Sequence, residues 1–346
     1  MATPLLTIAI PTYNRAAKLK VQIERLLPQI GPEIRLCIYD NASPDGTQEI
    51  VEPYISLGVS YFRAATNCGA GRNIFRCFEE CQTEWLWVLS DDDPISSTAI
   101  SDLLSLLHTQ TCDLIHTSTA DRTYDSDLIL SDIASLFDYT NFGSLLWISP
   151  AIYRTASFVP LFRMYNESIS TWGPHLIMIL ALLESHGGKV LLSPLRLIPD
   201  PSDPAHAWST LDCILRLSQI PAYLTQPSNQ KLLAERIFVE WFDGAFLKGL
   251  REIKHSTDIY RWRRIYSQAK FNLKSYGAQG AWGFFLHNWF RAGYRRCALN
   301  NFRQAFMLGL LRWCPVVLFD LMLAILPLPL SLRKFYKSRK EFTPCA

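Results

Sequence analysis

Apolar residues in the first two hundred positions recur at two alternating spacings. Leu5–Ile10 is a short, β-rich run that stops at Pro11, and Lys18–Leu27 then carries apolar residues at helical spacing. The pattern repeats. Ile34–Tyr39 is a second short run ending at Asp40, Thr47–Ile55 reads as a helix, Val59–Phe62 as a third strand, Asn73–Glu80 as a helix and Trp85–Leu89 as a fourth strand running into acidic residues. A helix over 98–107 and an apolar run at Asp113–Thr117 continue it. Residues 118–145 hold acidic and turn-forming residues with little periodicity and predict loops with short strands. A strand and a short helix are expected between Ser149 and Phe162. Pro174 then opens a strongly apolar helix through Leu183, Gly187-Gly188 ends it, and Val190–Leu192 begins another strand. After about residue 205 strand signals fade, and 209–310 reads as helices rich in Trp, Phe and Arg.

Strands of about five residues alternating with helices imply a mostly parallel sheet covered by helices on its faces. Ligands of such sheets bind beyond the carboxyl ends of the strands. Three polar clusters stand at such ends: Pro-Thr-Tyr-Asn-Arg (11–15), Asp-Asn-Ala-Ser-Pro-Asp-Gly-Thr (40–47) and Ser-Asp-Asp-Asp (90–93). Their convergence on one place is the central expectation. The Pro-rich stretch 199–204 marks a domain boundary, giving a catalytic domain over 1–204, a helical region over 205–310 and a membrane-associating segment over 311–346.

Charge sharpens this division. The net charge of +3 is the sum of −10 over residues 1–250 (17 Lys+Arg, 27 Asp+Glu) and +13 over 251–346 (17 Lys+Arg, 4 Asp+Glu). A basic tail of this kind meets nucleic acid or an anionic membrane surface. Here the aromatics accompany an apolar helix and form no stacking platform, so the membrane is expected and nucleic acid is not. Trp313–Leu332 is apolar but interrupted by Asp320 and by Pro315, Pro327 and Pro329, and Arg333, Lys334, Lys337, Arg339 and Lys340 follow. A spanning helix needs ~20 apolar residues, so an in-plane or re-entrant anchor is predicted. Arg261-Trp262-Arg263-Arg264 and Arg295-Arg296 extend the basic face. A mean hydropathy of +0.07, with 49% hydrophobic and 19% charged residues, agrees with a packed core that touches membrane. Nine cysteines without zinc spacing, in odd number, indicate a reducing compartment and no disulfide framework. The first residues lack a basic region followed by a long apolar run, so no signal peptide is expected. The expected location is cytoplasmic, peripheral on the inner face of the cell membrane.

Of the candidate chemistry, the acidic triplet is foremost. Asp91, Asp92 and Asp93 follow an apolar strand and repel one another unless a cation compensates them. Magnesium and manganese prefer carboxylate oxygens and bridge to phosphates. Alone, the triplet is as readily a surface turn or a cap on the helix after Pro94. Asp40 can accept hydrogen bonds from a nucleobase or ribose, although 40–47 alone is an ordinary strand–turn–helix connection. In Asn67-Cys68-Gly69-Ala70-Gly71-Arg72-Asn73 the two glycines permit close backbone approach to a ligand, and Arg72 suits a phosphate.

Together, Ile-Ala-Ile-Pro-Thr-Tyr-Asn-Arg (8–15), Ile-Tyr-Asp-Asn-Ala-Ser-Pro-Asp-Gly-Thr (38–47), Asn-Cys-Gly-Ala-Gly-Arg-Asn (67–73) and Trp-Val-Leu-Ser-Asp-Asp-Asp-Pro-Ile (87–95) closely resemble the family 2 glycosyltransferases of GT-A fold, in order and spacing as well as in residues. The resemblance is strong over 5–100, fainter to about 200 and absent beyond. It implies a Rossmann-like α/β sheet and transfer from a nucleotide-sugar donor. Pro11, Thr12 and Tyr13 then line the nucleobase and ribose, Arg15 approaches the donor, Asp40 bonds the base, and Asn67, Arg72 and Asn73 border the nucleotide. The triplet fills the Asp-x-Asp role. The family pattern reads Leu-Asp-x-Asp-Asp, whereas Ser90 stands here at the first acidic place. Either Asp91 and Asp93 form the pair or Asp92 takes the metal; Asp93 on the metal with Asp91 on the ribose is the favoured assignment, with Mn or Mg as the ion.

An inverting transferase also needs a base to take the acceptor hydroxyl proton. In this family it is often an acidic residue just before the helix expected at 174–183, and Glu167 and His175 are the candidates; His175 is equally a packed histidine. The membrane signals suggest a lipid-linked saccharide acceptor, as used for surface polysaccharides. A nucleotidyltransferase of similar sheet is the competing enzyme class, but Pro-Thr-Tyr-Asn-Arg lacks the glycines of a phosphate loop. An inert membrane-associated scaffold is the non-enzymatic alternative.

Overall fold

The computed structural model describes residues 4–120, 122–199, 210–242, 265 and 268–278. In chain order the elements are β1 (Leu6–Thr12), α1 (Ala16–Leu26), β2 (Ile34–Asp40), α2 (Thr47–Ile55), β3 (Ser60–Arg63), α3 (Ala70–Glu79), β4 (Trp85–Val88) and α4 (Ala99–Leu107). Then come β5 (Leu114–Thr117), β6 (Leu128–Leu130), α5 (Ile133–Tyr139), α6 (Phe142–Leu146), β7 (Ala151–Arg154), α7 (Thr155–Phe158), α8 (Phe162–Ser168), α9 (Pro174–Ser185), β8 (Val190–Ser193), α10 (Thr210–Leu217) and α11 (Pro227–Ile237).

The eight strands form one sheet in the order β3-β2-β1-β4-β7-β5-β8-β6. β3, β2, β1 and β4 run parallel, β7 is antiparallel to both β4 and β5, β5 and β8 are parallel, and β6 closes the edge antiparallel to β8. The chain leaves β1 for β2 on one side and returns to β4 on the other. The order therefore reverses beside β1, and the crevice at its carboxyl end is where such sheets bind ligands.

Both faces are covered, which is why the central strands are apolar throughout and do not alternate. On one face Leu6, Ile8, Ile10, Trp85 and Trp87 pack with Leu19, Ile23 and Leu26 of α1 and Ile100 and Leu103 of α4. On the other an aromatic cluster fills the space: Phe78 lies 4.9 Å from Tyr153 and 5.8 Å from Tyr165 between ring centres, and Phe75 lies 4.9 Å from Tyr165. The α9 helix is apolar on all sides and buries every residue from Pro174 to Leu183, as expected of a helix inside a core.

The segment 118–145 corrects the expectation of loops with short strands. It holds β6 and two helices whose starts are capped by short polar side chains: Asp132 Oδ1 accepts from Ser135 N at 2.8 Å and Asn141 Oδ1 from Ser144 N at 2.7 Å. Both helices are too short, at 7 and 5 residues, to show a period.

The described residues divide into two compact units, with breaks at 208/209, 218/219 and 233/234. Residues 219–233 return to the first unit. There Glu184 of α9 accepts from Thr225 N at 2.6 Å, Gln226 N at 3.0 Å and Asn229 Nδ2 at 2.9 Å, capping the start of α11. In the second unit Asn272 Nδ2 donates to Ser218 Oγ at 3.0 Å. Residues 200–204 of the expected boundary, most of the expected 243–310 helices, Arg261–Arg264, Arg295-Arg296 and the 311–346 segment lie outside the described residues. No helix among the described residues is long and apolar enough to cross a membrane.

Candidate active site

Three connections meet at the carboxyl edge, between β1 and α1, β2 and α2, and β4 and α4. The register sets Thr12 beside Asp40, and Ala9 beside Val88. The first two loops are tied at their backbones: Asn41 N donates to Thr12 O at 3.0 Å, Asn14 N to Ser43 Oγ at 2.8 Å and Ala16 N to Asp45 Oδ2 at 2.9 Å. Asn14 reaches its partner at φ 56°, a left-handed turn that asparagine tolerates. Pro11 lies in β1 opposite Tyr39, and Tyr13 stands 44% exposed at the edge.

Asp40 is fully buried and accepts four hydrogen bonds. Oδ1 takes Ser43 N at 3.0 Å and Ser43 Oγ at 2.5 Å, and Oδ2 takes Tyr61 OH and Arg63 Nη1 at 2.7 Å each. Its charge is therefore matched within the protein, which is what burial of a carboxylate requires. Burial, with help from the bond to Asp40, pushes the Tyr61 hydroxyl up to about 12. Asn67 and Asn41 clasp each other at 2.9 Å, and Gly69 N donates to Asn67 Oδ1 at 2.9 Å.

Two members of the 67–73 segment serve the fold. Asn73 is buried and donates to Tyr39 O at 2.7 Å, pinning α3 to β2. Gly71 is needed for packing: a Cβ there would meet Ile169 Cγ1 at 2.8 Å. The close approach allowed by this glycine is to Ile169, whereas Gly69, at φ 85°, supplies the turn. Arg72 pairs with Glu79 at 3.0 Å along its own helix and lies over the Phe75 ring. Cys77 and Cys81 are free thiols.

The acidic loop is held from two sides. From the α1 side, Thr12 Oγ1 donates to Asp91 Oδ2 at 2.7 Å, Arg15 Nη1 lies 2.9 Å from both Asp91 Oδ1 and Asp92 Oδ2, and Lys18 Nζ lies 3.0 Å from Asp92 Oδ2. The buried Gln22 donates to Asp93 O at 2.7 Å. From the other side, Trp147 Nε1 donates to Asp93 Oδ2 at 2.8 Å, and Ser149 Oγ accepts from Ser90 N at 3.1 Å. Ser90, at the place where the family pattern has an acid, donates to Asp92 Oδ1 at 2.7 Å. Burial raises the Asp91 carboxyl above its ordinary value, against the opposing pull of Thr12 and Arg15. Burial works against the Arg15 charge as well, but Asp91 and Asp92 outweigh it and raise its pKa.

These carboxylates are hard oxygen donors, and Gln22 Oε1, buried and without a hydrogen-bond partner among the described residues, adds another acceptor beneath the loop. The donor set fits a divalent cation. It is not a ready-made cage: among the described residues no three His, Cys, Asp or Glu side chains converge to hold a metal. Arg15 bridges Asp91 and Asp92, whereas Asp93 is bonded to Trp147.

Neither base candidate contacts this loop directly. Glu167 is exposed on α8 and pairs with Arg163 at 2.8 Å. His175 is buried, with Nε2 at 2.9 Å from Leu146 O. A carbonyl only accepts, so Nε2 carries the proton, and burial lowers this histidine to about 4. His175 thereby anchors the residue before Trp147. Lys18, Gln22, Trp147 and Ser149 escaped the sequence reading. Lys18 had one signal, its place one helical turn after Arg15; Trp147 had none, because its partner lies 54 residues away.

A sheet that reverses beside β1, with three polar loops, one of them acidic, gathered at its switch point, is the arrangement of the GT-A fold. Residues 7–169 match the sequence model of Glycosyl transferase family 2. The chain is 28% identical over 140 residues to the abequosyltransferase RfbV of Salmonella typhimurium, across 35% of this chain and 41% of that protein. It is 24% identical over 113 residues to the putative teichuronic acid biosynthesis glycosyltransferase TuaG of Bacillus subtilis, across 32% of this chain and 44% of the relative. It thus spans less than half the length of either. Its fold is similar to that of S. aureus TarS 1-349 in complex with UDP-GlcNAc, with a TM-score of 0.56 and 16% identity over 77% of this chain and 81% of the other. It is similar too to the mannosyltransferase PcManGT from Pyrobaculum calidifontis in complex with GDP-Man and Mn2+, with a TM-score of 0.50 and 13% identity over 82% and 88%.

Proposed function

We propose that the protein transfers a sugar, with inversion, from a nucleotide-sugar donor to a saccharide acceptor that is lipid-linked, in the assembly of a surface polysaccharide. The carrying observation is the joining of the β1 and β4 loops through Thr12 and Asp91, next to the β2 loop bearing Asp40. RfbV, named as an abequosyltransferase, and TuaG, named for teichuronic acid biosynthesis, support sugar transfer as the reaction. The complexes of TarS and PcManGT are the precedents for donor and cation.

In this reading Pro11, Thr12 and Tyr13 form the nucleoside wall, and Asp40, its acceptor sites held by Ser43, Tyr61 and Arg63, fixes the β2 loop that faces the base. Asn67 closes the pocket beyond α2, with Arg72 and Asn73 at its border. Asp93, with Asp91 or Asp92 beside it, holds a magnesium or manganese ion, which when bound offsets the charge of the departing diphosphate. Glu167 has the exposed carboxylate needed to accept the acceptor's proton, and His175 supports the Trp147 loop. The basic tail places the enzyme on the inner face of the membrane through anionic lipid.

Nucleotide release from a panel of UDP-, GDP-, CDP- and dTDP-sugars, with and without Mn2+, tests the activity. Asp93→Ala is expected to abolish the Mn2+-dependent part, and intact turnover in that variant overturns the metal assignment. Sedimentation of the full chain with anionic vesicles, reversed by high salt, tests the membrane role; equal sedimentation with neutral vesicles counts against it.

A further inference from the structure

The loop after β2 and the connection from β3 to α3 are joined by two neighbouring clasps. At the first, Tyr61 OH and Arg63 Nη1 donate to Asp40 Oδ2, and Ser43 N and Oγ donate to Oδ1. A carboxylate has about four lone-pair sites, so Asp40 has none left for a ligand. At the second, Asn41 Nδ2 donates to Asn67 Oδ1 at 2.9 Å. Asn41 Oδ1 accepts from Cys68 N at 3.0 Å, and Asn67 Oδ1 accepts from Gly69 N at 2.9 Å. A backbone N–H only donates, so Cys68 and Gly69 fix which end of each amide is the oxygen. The NH2 of Asn67 must then face away from the clasp, and it has no partner among the described residues. Ser43 Oγ accepts from Asn14 N at 2.8 Å. The side-chain oxygens of Asp40, Asn41, Ser43 and Asn67 are thus all engaged from within, and what these residues leave for a ligand is donors. Asn67 is exposed. Arg63, which also bonds Tyr61, keeps 36% of its side chain in solvent and has further N–H groups to place.

Resting on the nucleotide-sugar reading given above, we propose that this rim selects the nucleobase by its acceptors. Asn67 and Arg63 donate to two adjacent acceptor atoms of the base, so the activated sugar is carried by cytidine or guanosine diphosphate and not by uridine or thymidine diphosphate. Cytosine offers O2 and N3 side by side, and guanine offers O6 and N7. Uracil and thymine place an N–H between their two carbonyls. On this rim that N–H meets other donors, because the carboxylate that would receive it is closed by Ser43, Tyr61 and Arg63. An N–H that gives up water without finding an acceptor loses affinity, whereas a base that matches both donors gains it. The register supports a shared rim: Asp40 stands beside Arg63 in the sheet, and Asn41, the next residue, holds Asn67.

The test is calorimetry of CDP, GDP, UDP and dTDP with the full chain in the presence of Mn2+. CDP or GDP is expected to bind about tenfold more tightly than UDP and dTDP, and the tighter of the two identifies the base. UDP or dTDP binding as tightly as the better of CDP and GDP overturns the inference and leaves the nucleotide-sugar reading intact. Asn67→Asp keeps the oxygen that accepts from Asn41 and Gly69 and puts a second oxygen where the outward NH2 stood. Its added charge weakens all four diphosphates alike, so the readout is the ratio between them. The preference over UDP is expected to fall by about tenfold, with a melting curve to show that the variant is folded. An unchanged ratio means that Asn67 only holds the loop, and overturns the inference. Should Asn67→Asp fail to fold, the ratio in the parent chain decides. Failure of all four nucleotides to bind overturns the nucleotide-sugar reading and this inference with it.

Discussion

The indole Nε1 of Trp147 donates to Asp93 Oδ2 at 2.8 Å, so a residue 54 positions further along the chain sets the orientation of the last carboxylate in the acidic loop. Trp147 is fixed in turn by its neighbours, since His175 holds Leu146 O and Ser149 holds Ser90 N. Trp147→Phe keeps the ring's bulk and removes the donor. Loss of a hydrogen bond to a charged acceptor costs about 1.5–3 kcal/mol. Donor turnover at limiting Mn2+ is expected to fall by about tenfold or more, with partial recovery at high Mn2+. Steady-state kinetics over a Mn2+ series, with a melting curve beside it, checks this.

Asp40 is expected to matter for folding as well as for binding. In Asp40→Ala the groups on Ser43, Tyr61 and Arg63 lose their shared acceptor. Arg63 reaches solvent, with 36% of its side chain exposed, so the loss is smaller than for a wholly buried pair. About 1–3 kcal/mol is expected, or several degrees in Tm. A variant that melts like the parent contradicts the structural part of this role.

Acid sensitivity should come partly from two buried histidines. His116 and His175 are both lowered from 6.5 to about 4, His116 between Ser144 O and the Tyr124 hydroxyl and His175 on Leu146 O. The unfolded chain binds their protons first, so their contribution to stability is complete above pH 6.5 and is lost as the pH falls towards 4. The loss is on the order of 3 kcal/mol for each histidine at the acid end. Denaturant unfolding at pH 7, 5.5 and 4 should show the slope, and His175→Gln should flatten it by one group's share.

Gly71→Ala tests whether the second glycine of the 67–73 segment serves packing. The added methyl meets Ile169 at 2.8 Å, and relief requires α3 or the turn after α8 to shift. The expected cost is about 1–3 kcal/mol. Trimming the obstacle with Ile169→Ala in the same chain should recover part of it, whereas a glycine reserved for a ligand would show no such rescue.

Much of the scaffold was legible because it is locally encoded. Short apolar runs, Leu5–Ile10 up to Pro11, Ile34–Tyr39 up to Asp40 and Trp85–Leu89 before the acidic triplet, announced β1, β2 and β4 and put the polar loops at one edge. The helices α5 and α6 were missed for want of length, although Asp132 and Asn141, each three residues before a serine, carried the capping signal. Asn73 reads in sequence as a nucleotide neighbour and stands in the fold as a pin on Tyr39 O. Arg72 reads as a phosphate ligand and faces Glu79.

The sequence by itself determined the alternation of strands and helices from β1 to α4, the resemblance to family 2 glycosyltransferases, strong over residues 5–100, and the acidity of the loop after β4, because periodicity and short motifs depend on neighbours in the chain. Tertiary structure alone decided that Arg15 and Lys18 balance Asp91 and Asp92, that Trp147 takes Asp93, and that Gly71 yields to Ile169. Those pairings depend on which segments the sheet order brings within a few ångströms, and charge and hydrogen-bond energies act at that range whatever the separation along the chain.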